Sequence, residues 1–182
     1  MQSLLSLGMR VREKVEFGGS VEKLVSKEIE NYIKWSEKDG GFSNLRFLPV
    51  LTVVAGRPRQ TPDSMSDSLT KQLKFLAEKH REHLAHPAGR VNELGEIELY
   101  TRQPPLLYGI LVAQTVVMFV TLDSSNPDAS VRHFNHFNFK DKDMDVWNGF
   151  ALAFIVIVAR NYIMSIKDDL EEDDVYVSDV DA

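Results

Sequence analysis

The chain contains no cysteine, and this absence excludes disulfide bonds, thiolate metal sites and cysteine nucleophiles. The absence of cysteine also fits a reducing compartment. The first five residues also lack the charged segment and the apolar run of a secretory signal. The sequence therefore predicts an intracellular protein, located in the cytoplasm or the nucleus.

An excess of positive charge is absent too, because 21 lysines and arginines face 27 aspartates and glutamates. Six of those acids lie in residues 170–182, so residues 1–169 are formally neutral. A strongly basic surface, the usual sign of nucleic-acid binding, is therefore not indicated. Residues 170–182 also lack hydrophobic periodicity, which predicts a disordered acidic tail after one globular domain over residues 1–169.

The common glycine motifs are missing as well. The sequence has no Gly-x-Gly-x-x-Gly after a strand, no phosphate-binding loop and no Gly-x-Ser-x-Gly turn. These absences exclude the usual nucleotide-binding and acyl-transfer sites as such motifs define them.

Charge is absent from residues 103–122, a run that is long enough to cross a bilayer as a helix. The run is rich in β-branched and aromatic residues and is interrupted at its middle by Gln114 and Thr115. This pattern favours two buried antiparallel strands, 108–112 and 116–120, joined by a tight turn. A small membrane-associated protein, anchored through the uncharged run, is the alternative interpretation.

What the sequence does contain is a series of apolar patterns along the chain. Alternation in residues 9–17 predicts a first strand, and Ser20 is a candidate N-cap for a helix that ends near residues 39–41. The later patterns predict a strand at 47–55, a helix from about 66 to 86, strands at 96–100 and 132–140, and a helix over 145–169. This order predicts a mixed α/β domain, a central mixed sheet flanked by helices.

The last predicted helix carries the strongest apolar pattern. Trp147, Phe150 and Phe154 recur at helical spacing, with further apolar residues between them. Such breadth is typical of a helix that is buried on most sides. We expect the sheet and the first helix to cover Phe150 and Phe154. The remaining apolar arc, around Ile157 and Tyr162, is where a homodimer would form its self-interface.

The five histidines fall in two clusters. His80 and His83 are three residues apart on a predicted helix and are the candidate ligands for a metal ion, whereas His86 lies about 120° further round. His133 and His136 lie on a predicted strand, where a spacing of three places side chains on opposite faces. We interpret the histidines as solvated or core-edge side chains and predict no metal site.

Two arginines directly follow the predicted strand at 47–55. Arg57 and Arg59 lie in a loop at the strand's end, a place where binding sites gather, and paired arginines suit phosphate or carboxylate. They are the candidate binding residues, although in a neutral domain a solvated loop is the favoured interpretation.

Four sequence segments carry a family resemblance. They read FLPVLTVVAG, LTKQLKFLAEKHREHL, LLYGILVAQTVVMFVTLD and DVWNGFALAFIVIVARNYI. Over roughly residues 20–168, the order of these segments and their pattern of apolar residues resemble the nuclease-like domains of the PD-(D/E)XK type found in fungal proteins of unknown role. The resemblance implies a restriction-endonuclease-like fold in which the first of these strands would carry a metal-binding Glu and a catalytic Lys.

The chain departs from that family at the catalytic strand. Residues 53–57 read Val-Val-Ala-Gly-Arg and contain no Glu-x-Lys. Glu28 and Asp63 are the candidate replacements, but a single carboxylate binds Mg²⁺ poorly. The sequence therefore predicts a catalytically inactive, cofactor-free nuclease-like domain that binds a protein partner or holds an assembly. The alternative is an active nuclease that uses Mg²⁺ and displaced carboxylates.

Overall fold

The computed structural model describes residues 2–57, 59–91, 95 and 97–172. Its helices are α1 Gln2–Leu5, α2 Leu7–Glu16, α3 Val21–Gly40, α4 Pro62–Leu84 and α5 Asp145–Ser165. Its strands are β1 Leu51–Ala55, β2 Ala85–Val91, β3 Ile97–Tyr100, β4 Leu106–Ala113, β5 Val116–Asp123 and β6 Arg132–Asn138. Of residues 170–182, for which we predict disorder, residues 173–182 lie outside the described residues, whereas the backbone of Arg46 donates to the Glu171 carbonyl oxygen and Leu45 forms a β-bridge with Glu172.

Four of the strands form one mixed sheet in the order β1-β4-β5-β6. β1 runs parallel to β4, whereas β4–β5 and β5–β6 are antiparallel neighbours. The β4–β5 hairpin confirms the predicted pair of strands: Ala113 pairs with Val116, and Gln114 turns the chain with a φ of 53°. Residues 103–122 therefore do not form a membrane-spanning helix. The prediction of a mixed sheet flanked by helices is confirmed.

The sheet is covered on both faces by helices. On one face, α3 and α5 pack over Ile110, Val112, Val117 and Phe119 with the help of α1 and α2. On the other face, α4 packs over the alternate residues of the same two strands. Because strand residues alternate between faces, the uncharged hairpin supplies the centre of both cores. This double burial explains why the hairpin needs no charged residue.

The prediction of a strand over residues 9–17 is wrong, since residues 9–16 belong to α2 and Phe17 is its C-cap. The buried residues of α2 are Leu7, Gly8 and Val11, which share one helical face, whereas Val15 and Phe17 at the end of the alternation are exposed. An alternating stretch of nine residues also satisfies a helix when only one turn of it is buried. Arg10 and Arg12 favour the helix as well, because each forms an ion pair with a carboxylate on a neighbouring helix.

Other predicted boundaries shift by a few residues. Strand β1 occupies only the second half of the predicted segment 47–55. Helix α4 begins at Pro62, earlier than predicted, because Thr61 accepts a hydrogen bond from the Ser64 backbone and caps the helix. Helix α5 ends at Ser165, and a short 3₁₀ turn, Lys167–Asp169, follows it. Strands β2 and β3 form a separate two-stranded sheet.

Candidate functional site

Helix α5 lies against the sheet through one side only. Leu152, Val156 and Ala159 are buried in the core, and Gly149 meets the α1 backbone. A Cβ atom at Gly149 would stand 2.7 Å from the carbonyl oxygen of Leu4, so the glycine permits this close approach. The sheet, α1 and α3 therefore cover about half of the circumference of α5.

The opposite side of α5 is apolar and exposed. Trp147, Phe150 and Phe154 expose 65%, 43% and 70% of their surface, respectively. The expectation that the sheet and the first helix cover Phe150 and Phe154 is therefore wrong. These residues do form a helix, as their spacing predicts. An apolar pattern alone, however, does not indicate which side of a helix packs against the rest of the protein.

We name this surface the outer face of α5. It consists of four exposed residues and three half-buried ones, all apolar: Val146, Trp147, Phe150 and Phe154, with Ala151, Ile157 and Val158. Trp147 and Phe150 stand side by side, with ring centroids 6.4 Å apart. Tyr162, where we expected the self-interface to continue, is half-buried beyond the aromatic part of this face. The sequence signal that marks the face is the absence of any charge from residues 146–159.

The charges at the two ends of the outer face are paired within the molecule. Asp145 forms an ion pair with Arg12, and Arg160 forms one with Asp39 at 2.7 Å. Both arginine side chains are largely buried. The face therefore offers nonpolar contact along its length, and the charges that border it already have partners.

The exposed parts of the three aromatic rings are comparable in area to the largest apolar patch of a typical monomer. At about 150–250 Å² per aromatic side chain, their exposed fractions amount to on the order of 350 Å². That is about half of the ~800 Å² that each partner contributes to a standard protein–protein interface. Within the described residues, one helical segment, Lys142–Ser165, is long and apolar enough to cross a membrane, and 44% of its apolar 18-residue stretch is buried in the domain. Core helices of globular domains meet the same criterion.

The candidate carboxylates are not brought together. Glu28 is buried on α3, where it accepts a hydrogen bond from Arg10 at 2.9 Å. Asp63 is exposed in the first turn of α4. Because α3 and α4 lie on opposite faces of the sheet, these two side chains do not converge on one metal site. Each has a structural role instead, Glu28 in an ion pair and Asp63 at a helix N-terminus.

The candidate arginines do share a cavity. Arg57 and Arg59 line a volume of about 410 Å³ at the end of β1, together with Glu22 and Gln60. The backbone N–H of Arg57 donates to Gln60 Oε1 at 3.2 Å, and Arg59 adopts a left-handed φ of 67°. Both arginine side chains are exposed, and the carboxylate of Glu22 on the cavity wall opposes their charge.

The first histidine cluster divides between the core and a cleft. His80 is buried, and its Nε2–H donates to the carbonyl oxygen of Pro49 at 3.0 Å. Burial lowers the pKa of His80, an effect that this hydrogen bond partly offsets. His83 is exposed and lines a cleft of about 430 Å³ with His80, Arg102 and Tyr162. Burial raises the pKa of the Tyr162 hydroxyl.

The second histidine cluster differs from its prediction. His133 pairs with Val120 and His136 with Met118, two strand positions of the same parity, so both histidines lie on one face of the sheet. A register shift between Phe119 and Val120 inserts an extra residue into β6 and reverses the expected alternation. Across the described residues, no group of three or more His, Asp or Glu side chains is placed to hold a metal ion.

Comparison of the chain with protein-family models, with curated proteins and with solved structures finds no match.

Proposed function

We propose that this chain is an assembly module: a nuclease-like α/β domain without catalytic activity that binds a second copy of itself through the outer face of α5. The observation that carries the proposal is the exposure of Trp147, Phe150 and Phe154 on one helix face. Aromatic residues of this kind are the typical anchors of protein interfaces. An exposed apolar patch of this size is often functional.

A second copy suits this face because the face is apolar along its length and the charges that border it are already paired. When two α5 helices pack antiparallel about a two-fold axis, each residue meets the same set of residues on the other copy. The small side chain of Ala151, between Phe150 and Phe154, leaves room for a ring from the other helix. An uncharged face provides no electrostatic selection for a partner of opposite charge. The remaining interface area comes from Val146 and the half-buried residues beside the rings.

The nuclease-like fold in this proposal rests on the family resemblance alone, whereas the absence of catalytic activity rests on two observations. The end of β1, where that family places its metal-binding Glu and its Lys, carries Val54, Ala55 and Gly56. The candidate carboxylates Glu28 and Asp63 lie on helices at opposite faces of the sheet. Both observations favour a binding role over Mg²⁺-dependent cleavage.

Sedimentation velocity over a wide range of protein concentration tests the proposal. We expect a monomer–dimer equilibrium for the native chain, and dissociation that is stronger by about tenfold or more in Phe154→Gln and Trp147→Gln. Phe75→Gln is the matched control. Phe75 is 58% exposed, but it lies on α4 at the other face of the sheet, so its replacement should leave the equilibrium unchanged.

Two results would overturn the proposal. One is a native chain that stays monomeric at every concentration. The other is a native chain that is monomeric in solution but pellets with phosphatidylcholine vesicles through Trp147 and Phe154. That second result would assign the outer face to a lipid surface instead of a second copy.

A further inference from the structure

The edge strand β6 contains a β-bulge that brings two histidines together. On an unbroken strand, His133 and His136 would point to opposite sides, because their spacing of three is odd. The extra residue in β6 corrects the parity, and the two rings stand with centroids 5.3 Å apart and planes inclined at 46°. Both side chains are exposed. Bulges of this type re-aim side chains and are treated as specific features of a strand.

The separation of the two rings agrees with the geometry of a shared metal ion. A ring centre lies about 1.1 Å from its nitrogen, and a Zn–N bond of about 2.1 Å then places each ring centre about 3.2 Å from the ion. Two such rings at the tetrahedral angle have centres about 5.2 Å apart. The observed separation between His133 and His136 is 5.3 Å, so their spacing suits two ligands of one ion.

We propose that His133 and His136 form a two-histidine site for a divalent transition-metal ion such as Zn²⁺ or Ni²⁺. Imidazole nitrogen suits these ions, whereas Mg²⁺ prefers oxygen ligands. Water completes the coordination, since the two side chains are open to solvent.

This site is independent of the proposed self-interface. His133 and His136 pair with Val120 and Met118, whose side chains belong to the core under α4, so the histidines lie on the α4 side of the sheet. The outer face of α5 lies on the opposite side. A failure of dimerisation and a failure of metal binding are therefore separate results.

Isothermal titration of the tag-free protein with Ni²⁺ and Zn²⁺ tests the proposal, together with the imidazole proton signals in NMR spectra. We expect one ion per chain, with perturbation of both His133 and His136. Either His133→Gln or His136→Gln should weaken binding by about tenfold or more. In the native chain, the second imidazole is held close to an ion that the first one has bound, and each variant loses this advantage. Since both positions are exposed, circular dichroism should show unchanged folding in these variants.

His83→Gln is the matched control, an exposed histidine on another element, and it should bind both ions as the native chain does. Mg²⁺ should produce no binding heat at this site. Binding that survives the loss of His133 or of His136, or that disappears in His83→Gln, would overturn the proposal. So would the absence of Zn²⁺ binding to the native chain.

Discussion

Arg12 and Asp145 are joined by two parallel hydrogen bonds, from Nη1 to Oδ1 at 2.7 Å and from Nη2 to Oδ2 at 2.6 Å. Arg12 Nη1 also donates to the backbone carbonyl of Phe139 at 3.2 Å. Each of the paired side chains exposes only 20% of its surface. The pair fixes α2 to the first turn of α5, where the carboxylate of Asp145 also complements the helix dipole.

Replacement of Arg12 should therefore be costly. Arg12→Ala leaves the Asp145 carboxylate largely buried without its partner, and we expect a loss of about 2 kcal/mol in the free energy of unfolding. Arg12→Lys should be intermediate, because a lysine keeps the charge but cannot form the two parallel bonds. Urea denaturation measures both. As a control, Lys79→Ala removes the exposed Lys79–Glu82 pair and should change little. A near-native stability of Arg12→Ala would contradict the role assigned to this pair.

Truncation of two nearby residues on α5 should reduce the stability of the protein by very different amounts. Leu152 is 1% exposed in the core, so Leu152→Ala should cost about 2–5 kcal/mol. Phe154→Ala removes a ring that faces outward and should cost less than about 1 kcal/mol in a dilute, monomeric sample. Thermal and urea unfolding of both variants measure this contrast. Equal losses at the two positions would show that the orientation of α5 is wrong.

Gly109, in the middle of β4, has no room for a side chain. A Cβ atom there would lie 2.7 Å from Val120 Cγ2, 3.0 Å from Leu69 Cδ1 and 3.1 Å from Leu73 Cδ1. Gly109→Ala should force these side chains apart and destabilise the protein by about 1–3 kcal/mol. Leu69→Ala truncates a buried side chain and is costly by itself, but it relieves one of the three contacts, so the loss in the double variant should be smaller than the sum of the two single losses. A native-like midpoint for Gly109→Ala in urea would mean that α4 packs less closely on the sheet.

Buried His80 should make stability dependent on pH. Burial lowers its pKa in the folded state, so the unfolded chain takes up a proton first as the pH falls below about 6.5. The free energy of unfolding should therefore decrease from about pH 6.5 down to the lowered pKa of His80. His80→Gln can still donate to the Pro49 carbonyl but does not titrate, and it should flatten this decrease. Parallel urea titrations at several pH values measure the difference, and identical slopes in both proteins would contradict the assignment.

We also expect no cleavage of DNA or RNA with Mg²⁺ or Mn²⁺, and no calorimetric binding of Mg²⁺. The reason is that Glu28 is engaged by Arg10 and that Asp63 lies across the sheet from it. Incubation with plasmid DNA and with RNA, in the presence and absence of each metal, measures this. Metal-dependent cutting that disappears in Asp63→Ala or Glu28→Ala would reverse the conclusion in favour of an active nuclease.

Local signals in the sequence were sufficient for much of the fold. The sequence predicts Ser20 as the N-cap of α3, and its Oγ accepts a hydrogen bond from the backbone N–H of Lys23. Gly41 ends that helix with a left-handed φ of 66°. The polar break at Gln114 located the hairpin turn correctly. Each of these features depends on residues that are close together in the chain, which is why the sequence alone predicts them.

The features that sequence analysis missed depend on distant parts of the chain. Which arc of α5 is covered depends on where α1 and α3 pack, so Phe154 could be read as apolar but not as exposed. The ring pair of His133 and His136 depends on a bulge that residue spacing does not reveal. The alternation around Arg12 predicts a strand. The ion pair with Asp145 favours a helix instead, but Asp145 is distant in the sequence and approaches Arg12 only in the folded structure.

The strand order β1-β4-β5-β6 also affects the order in which the strands pair during folding. Strands β4, β5 and β6 are joined by short connections and can pair early, whereas the pairing of Leu51 with Tyr108 must close a loop that contains the whole of α4. Because loop closure costs entropy before any contact repays it, we expect β1 to dock last. Until it does, the inner edge of β4 exposes unpaired N–H and C=O groups beside an uncharged apolar strand. Such an edge is a template for pairing with another chain, so aggregation during refolding should compete with the docking of β1.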